Sequence, residues 1–182
     1  MSLKEKVRKK FISIRRKKYF PVDINFFKPL IHIINKEKKR NIFLYYPSNY
    51  EVDTLKLLYF LKKRKDVTTS LPVILTNKKM KFFKWKLNES LKVNNYGFLE
   101  PVNRNNVIKP NIILVPLVAY DKSHNRLGYG KGYYDRFIKK NKKKLKNFIT
   151  IGLAFSFQKY KKIPTSKFDV KLDYILTEKG IF

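Results

Sequence analysis

The sequence predicts an α/β fold, with residues 1–182 forming one domain around a largely parallel sheet. Two observations carry this expectation. Strand-type apolar runs alternate along the chain with segments of helical periodicity, the order that arises when helices cross between parallel strands. The runs are also continuously apolar, as in Ile112 to Pro116, which suits strands covered on both faces. Composition agrees: 43% hydrophobic residues in a chain of 182 can build a sizeable core, and disorder throughout is excluded.

Leu3, Val7, Phe11 and Ile14 share one helical face, and Ser2 with Glu5 three residues on forms a capping-box start, so the chain opens with a helix. Lys4 and Arg8 lie together on a neighbouring face. A second helix is expected from about Phe27 to Lys39, then a short strand over Asn41 to Tyr46. Pro47 to Glu51 reads as a turn entering a third helix that carries Leu55, Leu58 and Leu61 inward. Leu71 to Leu75 and Met80 to Leu87 follow as strands. Leu87 to Lys109 is Asn-rich, poor in periodicity and expected to be irregular. Ile112 to Pro116, Phe148 to Phe155 and Tyr174 to Thr177 are buried-type strands, with a helix from about Gly132 to Lys143 between the first two.

Forty-three Lys and Arg against 13 Asp and Glu give a formal net charge of +30. Only eight of the basic residues are arginines, whereas base-reading surfaces favour arginine forks. Two readings of the charge stand. One is a binder of phosphate backbones, whose affinity comes from released counterions. The other is a solvated lysine surface, accompanying the Asn, Ile, Phe and Tyr that an A- and T-rich coding bias would raise together. The lysines are spread along the whole chain, and runs such as Lys38 to Arg40, Lys62 to Lys65 and Lys142 to Lys144 fall where helices tend to finish. Nucleic acid, if bound at all, is expected to be bound non-specifically. Without cysteine, disulfides, thiolate zinc sites and cysteine nucleophiles are excluded. No stretch approaches the roughly 20 apolar residues of a membrane helix. Charges return at Arg15 to Lys18 before a signal-type apolar region can form, so a cytoplasmic location is expected.

Three of the six glycines, Gly128, Gly130 and Gly132, fall within five residues, in the stretch Arg126-Leu127-Gly128-Tyr129-Gly130-Lys131-Gly132-Tyr133-Tyr134-Asp135. Alternate glycines let a backbone turn several N–H groups toward one anion, and the helix that follows adds its partial positive charge. On that reading Arg126 and Lys131 are phosphate ligands and Asp135 holds a cation bound to the phosphates. The alternative is a glycine-rich tight turn. The spacing matches neither the P-loop nor the dinucleotide fingerprint. Glu51 is either a ligand or the N3 partner of a capping box with Ser48. Asp169 and Asp173 are either a second carboxylate for the cation or surface acids. Tyr46 and Trp85 are either core or pocket wall. His32 and His124 lack metal-ligand spacing.

Taken together these residues resemble the 5-formyltetrahydrofolate cyclo-ligase family. The resemblance includes Lys4-x-x-x-Arg8, Tyr46-Pro47 through Glu51-Val52-Asp53-Thr54, Leu71-Pro72, Gly97-x-x-Glu100-Pro101 and Val115 to Asp121. It continues through Arg126 to Asp135, then Gly152-Leu153-Ala154-Phe155, Gln158, Pro164, Asp169-Val170, Asp173 and Thr177-Glu178. It implies a three-layer α/β/α fold and a ligase of folate and one-carbon metabolism. The implied reaction is the ATP- and magnesium-dependent closure of 5-formyltetrahydrofolate to 5,10-methenyltetrahydrofolate, with release of ADP and phosphate. By the same resemblance, ATP is bound by Lys4, Arg8 and the loop Arg126, Leu127, Gly128, Tyr129, Gly130, Lys131, Gly132, Tyr133 and Tyr134. Arg126 and Lys131 are its catalytic cations, and Asp135 and Asp169 its Mg2+ ligands. Tyr46, Glu51, Trp85 and Tyr133 face the folate. The implied partners are the two small-molecule substrates, and the chain is expected to act as a monomer. In one departure, Phe168 precedes Asp169 where members often carry histidine. In another, Tyr129 stands at a variable loop position.

Overall fold

The computed structural model of the protein describes residues 1–37, 40–75, 79–146 and 148–182. Helix α1 spans Leu3–Lys18, opened by the reciprocal Ser2 and Glu5 capping box. A 3-10 turn over Ile24–Phe27 leads into α2, Lys28–Lys36. Then come β1, Arg40–Phe43, and α3, Thr54–Leu61. Strands β2, Val67–Ile74, and β3, Met80–Lys84, precede a hairpin of β4, Leu91–Val93, and β5, Leu99–Pro101. Strand β6, Ile112–Pro116, feeds a small ribbon of β7, Ala119–Tyr120, and β8, Arg126–Leu127. The chain closes with α4, Tyr133–Lys142, then β9, Ile149–Leu153, β10, Tyr174–Thr177, and β11, Gly180–Ile181.

Seven strands form one sheet in the order β11-β10-β9-β6-β1-β2-β3. The five inner strands run parallel, and β3 and β11 close the two edges antiparallel. Alternation along the inner strands builds a core on each face. Ile42, Ile112, Leu114 and Ile151 point to the side covered by Leu30 and Ile34 of α2 and Leu57, Leu58 and Leu61 of α3. Phe43, Ile113, Val115 and Ile175 point to the side covered by Phe137 and Ile138 of α4. The result is the expected α/β/α layering. Helix α1 lies outside the layers. Its Val7 and Phe11 pack on Val118, Ala119 and Leu127 of the ribbon and on Ile163, a separate small core.

Several boundaries differ from the sequence expectation. The second helix ends at Lys36 because Glu37 is already extended, and Lys39 lies outside the described residues. The third helix begins after Asp53, whose side chain accepts from the Leu55 N–H, so Ser48 and Glu51 form a turn of their own and not its capping box. Strand β2 starts at Val67, four residues earlier than expected, because Val67 to Ser70 pair with Arg40 to Phe43. The segment expected to be irregular contains the β4–β5 hairpin. The Asn94 side chain, accepting from the Tyr96 and Phe98 N–H groups, shapes its turn. Among the described residues no helix is long and apolar enough to cross a membrane.

Gly152 sits in β9 where an added Cβ would come within 2.8 Å of methyl groups of Leu117, Ile175 and Leu172. Gly152→Ala is therefore expected to destabilise the fold by about 1–3 kcal/mol, read as a lowered urea midpoint at unchanged m-value.

Candidate functional site

The strand order reverses between β1 and β6: from β1 the chain goes on to β2 on one side, and from β6 to β9 on the other. In open parallel sheets the crevice beyond the carboxyl ends at such a point is where ligands bind. A cavity of about 490 Å³ occupies that position. Tyr45, Tyr46, Ser48 and Glu51 reach it from the segment after β1, and Pro116 from the end of β6. The β4–β5 hairpin contributes Asn94, Tyr96, Phe98 and Leu99, and α1 contributes Lys4 and Arg8.

The glycine stretch forms another wall. Gly130 and Gly132 have φ of +94° and +66°, the left-handed region that side chains avoid. At Gly130 an added Cβ would lie 3.2 Å from the Arg8 guanidinium, whose Nε donates to the Gly128 carbonyl at 2.9 Å. Gly132 is the N-cap of α4 and supplies no side-chain bond, so among the described residues the first N–H groups of that helix have no side-chain cap. The Lys131 side chain is exposed beside them, and its carbonyl accepts from Arg136. Arg126, by contrast, is buried. It donates to the Val170 carbonyl at 2.8 Å and to Asp135 Oδ1 at 2.9 Å. Burial lowers its pKa, opposed by the Asp135 charge.

Asp135 Oδ1 also accepts from the Val170 N–H at 3.1 Å. Asp169 Oδ2 accepts from Lys4 at 2.5 Å and from the Ser166 N–H and hydroxyl. Burial raises the Asp169 pKa, but the Lys4 and Ser166 bonds outweigh it, and the carboxyl lies below its ordinary value. Both acids border the cavity, and in each one oxygen carries the protein hydrogen bonds while the other stays clear of them among the described residues. Asp173 is not brought here: it holds Thr150 and Lys142. Phe168 is exposed beneath the Lys167 ammonium and away from the cavity lining.

Glu51 is 7% exposed. Its Oε1 accepts from the Tyr129 hydroxyl at 2.7 Å and its Oε2 from the Ser48 N–H at 2.9 Å. The Tyr129 hydroxyl accepts in turn from Arg15 at 2.6 Å. Burial raises the Glu51 pKa, and the Tyr129 bond, the Arg15 charge and Ser48 oppose the rise.

The structure thus brings Lys4, Arg8, Tyr46, Glu51, the loop from Arg126 to Tyr134, Asp135 and Asp169 to one cavity. Trp85 is not among them. It is 3% exposed in the core beside α2 and α3, with its indole N–H on the Glu89 carbonyl. Sequence reasoning missed Arg15, the hairpin residues and Tyr45. Arg15 was open to discovery, because it lies seven residues after Arg8 and hence on the same helical face.

Comparison with known proteins gives a consistent picture. The family model described as "5-formyltetrahydrofolate cyclo-ligase family" matches residues 2–178. A 5-formyltetrahydrofolate cyclo-ligase from Haemophilus influenzae is 36% identical over 153 residues, covering 80% of each chain. One from Mycoplasma genitalium is 34% identical over 153 residues, covering 82% of this chain and 79% of the other. Among solved structures, the Aquifex aeolicus 5,10-methenyltetrahydrofolate synthetase superposes with a TM-score of 0.75 at 28% identity, over 99% of this chain and 92% of the other. The Mycoplasma pneumoniae synthetase gives 0.73 at 25%, over 96% and 98%.

The turn that delivers Arg126 is organised by Asp121, which accepts from the backbone N–H groups of Ser123, Asn125 and Ile163 and from the Asn125 amide. Burial raises the Asp121 pKa, but these bonds overcome it and hold the carboxyl below its ordinary value. A depressed carboxylate contributes stability that is present above its unfolded pKa, about 3.9, and is lost as pH falls through the lower folded value. Asp121→Asn is expected to cost about 1–3 kcal/mol at neutral pH and to converge with the parent at acid pH, measured by urea unfolding across a pH series.

Proposed function

The chain belongs to the 5-formyltetrahydrofolate cyclo-ligase family, and from that membership we propose how its own residues carry out the ATP-dependent closure of 5-formyltetrahydrofolate to 5,10-methenyltetrahydrofolate. The observation that carries the reading is the meeting, in one cavity, of an anion-accepting helix end ringed by cations with a buried carboxylate. An anionic triphosphate suits the first; a flat heterocycle rich in N–H donors suits the second.

In this reading the triphosphate lies along the glycine loop. The free N–H groups at the start of α4, with Lys4, Arg8 and Lys131, hold its oxygens. The buried Arg126 fixes Asp135 beside them. The formyl oxygen, pushed by the N5 lone pair, attacks the γ-phosphorus while the bond to the ADP oxygen breaks. N10 then bonds to the activated carbon, losing its proton, and the carbon–oxygen bond to phosphate breaks to leave the methenyl bridge. Positive charge develops on N5 and the formyl carbon when the oxygen is phosphorylated. The carboxylate of Glu51, in a water-poor wall, is the group available to offset it. Tyr46 and Tyr133 flank the ring system. Most of the acceleration is positioning plus charge stabilisation.

Magnesium suits Asp135 and Asp169. Both are hard oxygen donors with one oxygen to spare, and two carboxylates completed by phosphate oxygens and water is how this ion is commonly held. When bound, it would supply charge neutralisation on the transferred phosphoryl group. Among the described residues no cluster of three acids or histidines adds to the pair.

Purified protein with 5-formyltetrahydrofolate and Mg-ATP should produce the methenyl chromophore, and a chelator should abolish it. Asp135→Asn should remain folded by circular dichroism and lose turnover by about 10²-fold, the scale of removing one preorganised electrostatic contact. Unchanged turnover in that variant would overturn the cation assignment.

A further inference from the structure

The hydrogen-bonded chain from Arg15 through Tyr129 to Glu51 runs between elements that the reaction has no other reason to connect. We propose that Tyr129, supported by Arg15, is a positioning residue that aims the Glu51 carboxylate at the folate and ties it to the loop that grips the triphosphate. The proposal rests on the reading of Glu51 as a folate-side group.

Three observations carry it. Tyr129 lies in the glycine stretch between Gly128 and Gly130, yet its hydroxyl donates to Glu51 Oε1 at 2.7 Å. Moving the loop therefore moves the carboxylate's anchor. Next, Arg15 is 1% exposed and reaches the Tyr129 hydroxyl at 2.6 Å and the Leu117 carbonyl at 3.1 Å through its two terminal nitrogens. Its Nε finds no partner among the described residues. A buried arginine with an orphaned N–H is costly to keep for packing alone. Finally, the other two bonds to Glu51 come from the Ser48 N–H and hydroxyl in its own turn and fix Oε2 only, leaving Oε1 to Tyr129.

The ionisation of Glu51 follows the same geometry. The titratable and charged groups facing it are Arg15 from α1, Tyr129 from the loop, Tyr45 from the segment after β1 and Tyr134 from α4. Burial pushes its pKa up, and the Tyr129 hydrogen bond is the foremost influence bringing it back down. With the phenol hydroxyl gone, the carboxylate protonates at higher pH.

Tyr129→Phe removes one hydroxyl and keeps the ring. At saturating Mg-ATP, its pH profile of kcat/KM for 5-formyltetrahydrofolate should have an acidic limb moved up by about one to two pH units, the scale of one hydrogen bond to a charged group. On that limb each unit is about a tenfold loss. Arg15→Lys should shift the limb in the same direction by less. Combined with Glu51→Gln, Tyr129→Phe should add no further loss, since the group it serves is gone. Tyr129→Phe superimposing on the parent profile, or losses that multiply in the double variant, would overturn the positioning role while leaving the folate assignment intact. If Glu51→Gln alone keeps the parent kcat/KM for the folate, the folate assignment fails, and the proposal with it.

Discussion

The constraint on which the rest of the site depends is one face of the first helix. Lys4, Arg8 and Arg15 lie at helical spacing and each bonds a partner more than a hundred residues away: Asp169, the Gly128 carbonyl, and Leu117 with Tyr129. The sheet could assemble without α1, which packs outside the layers on a small core of its own. The cavity could not. Its glycine loop, its carboxylate pair and its buried glutamate are three separate loops, and the cations of α1 are what they share. The small core under Val7 and Phe11 matters for this reason: its apolar burial sets the depth at which those cations meet the loops.

Much of this was legible in the sequence wherever a physical rule acts locally. The continuous apolar run Ile112 to Pro116 is β6 to the residue, because a strand buried on both faces has no polar positions to blur it. Gly132 marks the start of α4 because a left-handed residue there requires it. The capping box at Ser2 is likewise a contact between near neighbours. What escaped was set at a distance. The β4 and β5 strands are three residues each, too short for a period, and are held by the Asn94 side chain. Trp85 lies in the core and not at the cavity: just past β3 its N–H donates to the Thr69 carbonyl and its carbonyl accepts from the Thr69 hydroxyl of the neighbouring strand. Its spacing from Arg8 alone separates Arg15 from the other cations beside it, and its burial follows from where the glycine loop returns.

The net charge of +30 takes on a specific meaning in this light. The few acids are concentrated in tasks that lysines cannot perform. Asp121 gathers a turn, Asp135 and Asp169 border the cavity beside the glycine loop, Glu51 faces the cavity, and Asp66 pairs with Arg40 and Arg64 at the other end of β1. Around them the positive field is almost uncompensated. Both substrates of the reaction are anions, so such a field raises their local concentration and their association rates.

The open N-terminus of α4 has a consequence for the living protein as well as for its chemistry. Among the described residues the first turn of α4 has no side-chain cap, so its N–H groups are met by solvent or by a bound anion. In the proposed mode of binding, the nucleotide would meet those N–H groups as well as donate the phosphoryl group. By mass action, whatever binds the folded chain and not the unfolded one deepens its stability in proportion to the logarithm of its concentration. On the proposed mode of binding, a nucleotide held at this helix end would raise the chain's resistance to unfolding as its concentration rises.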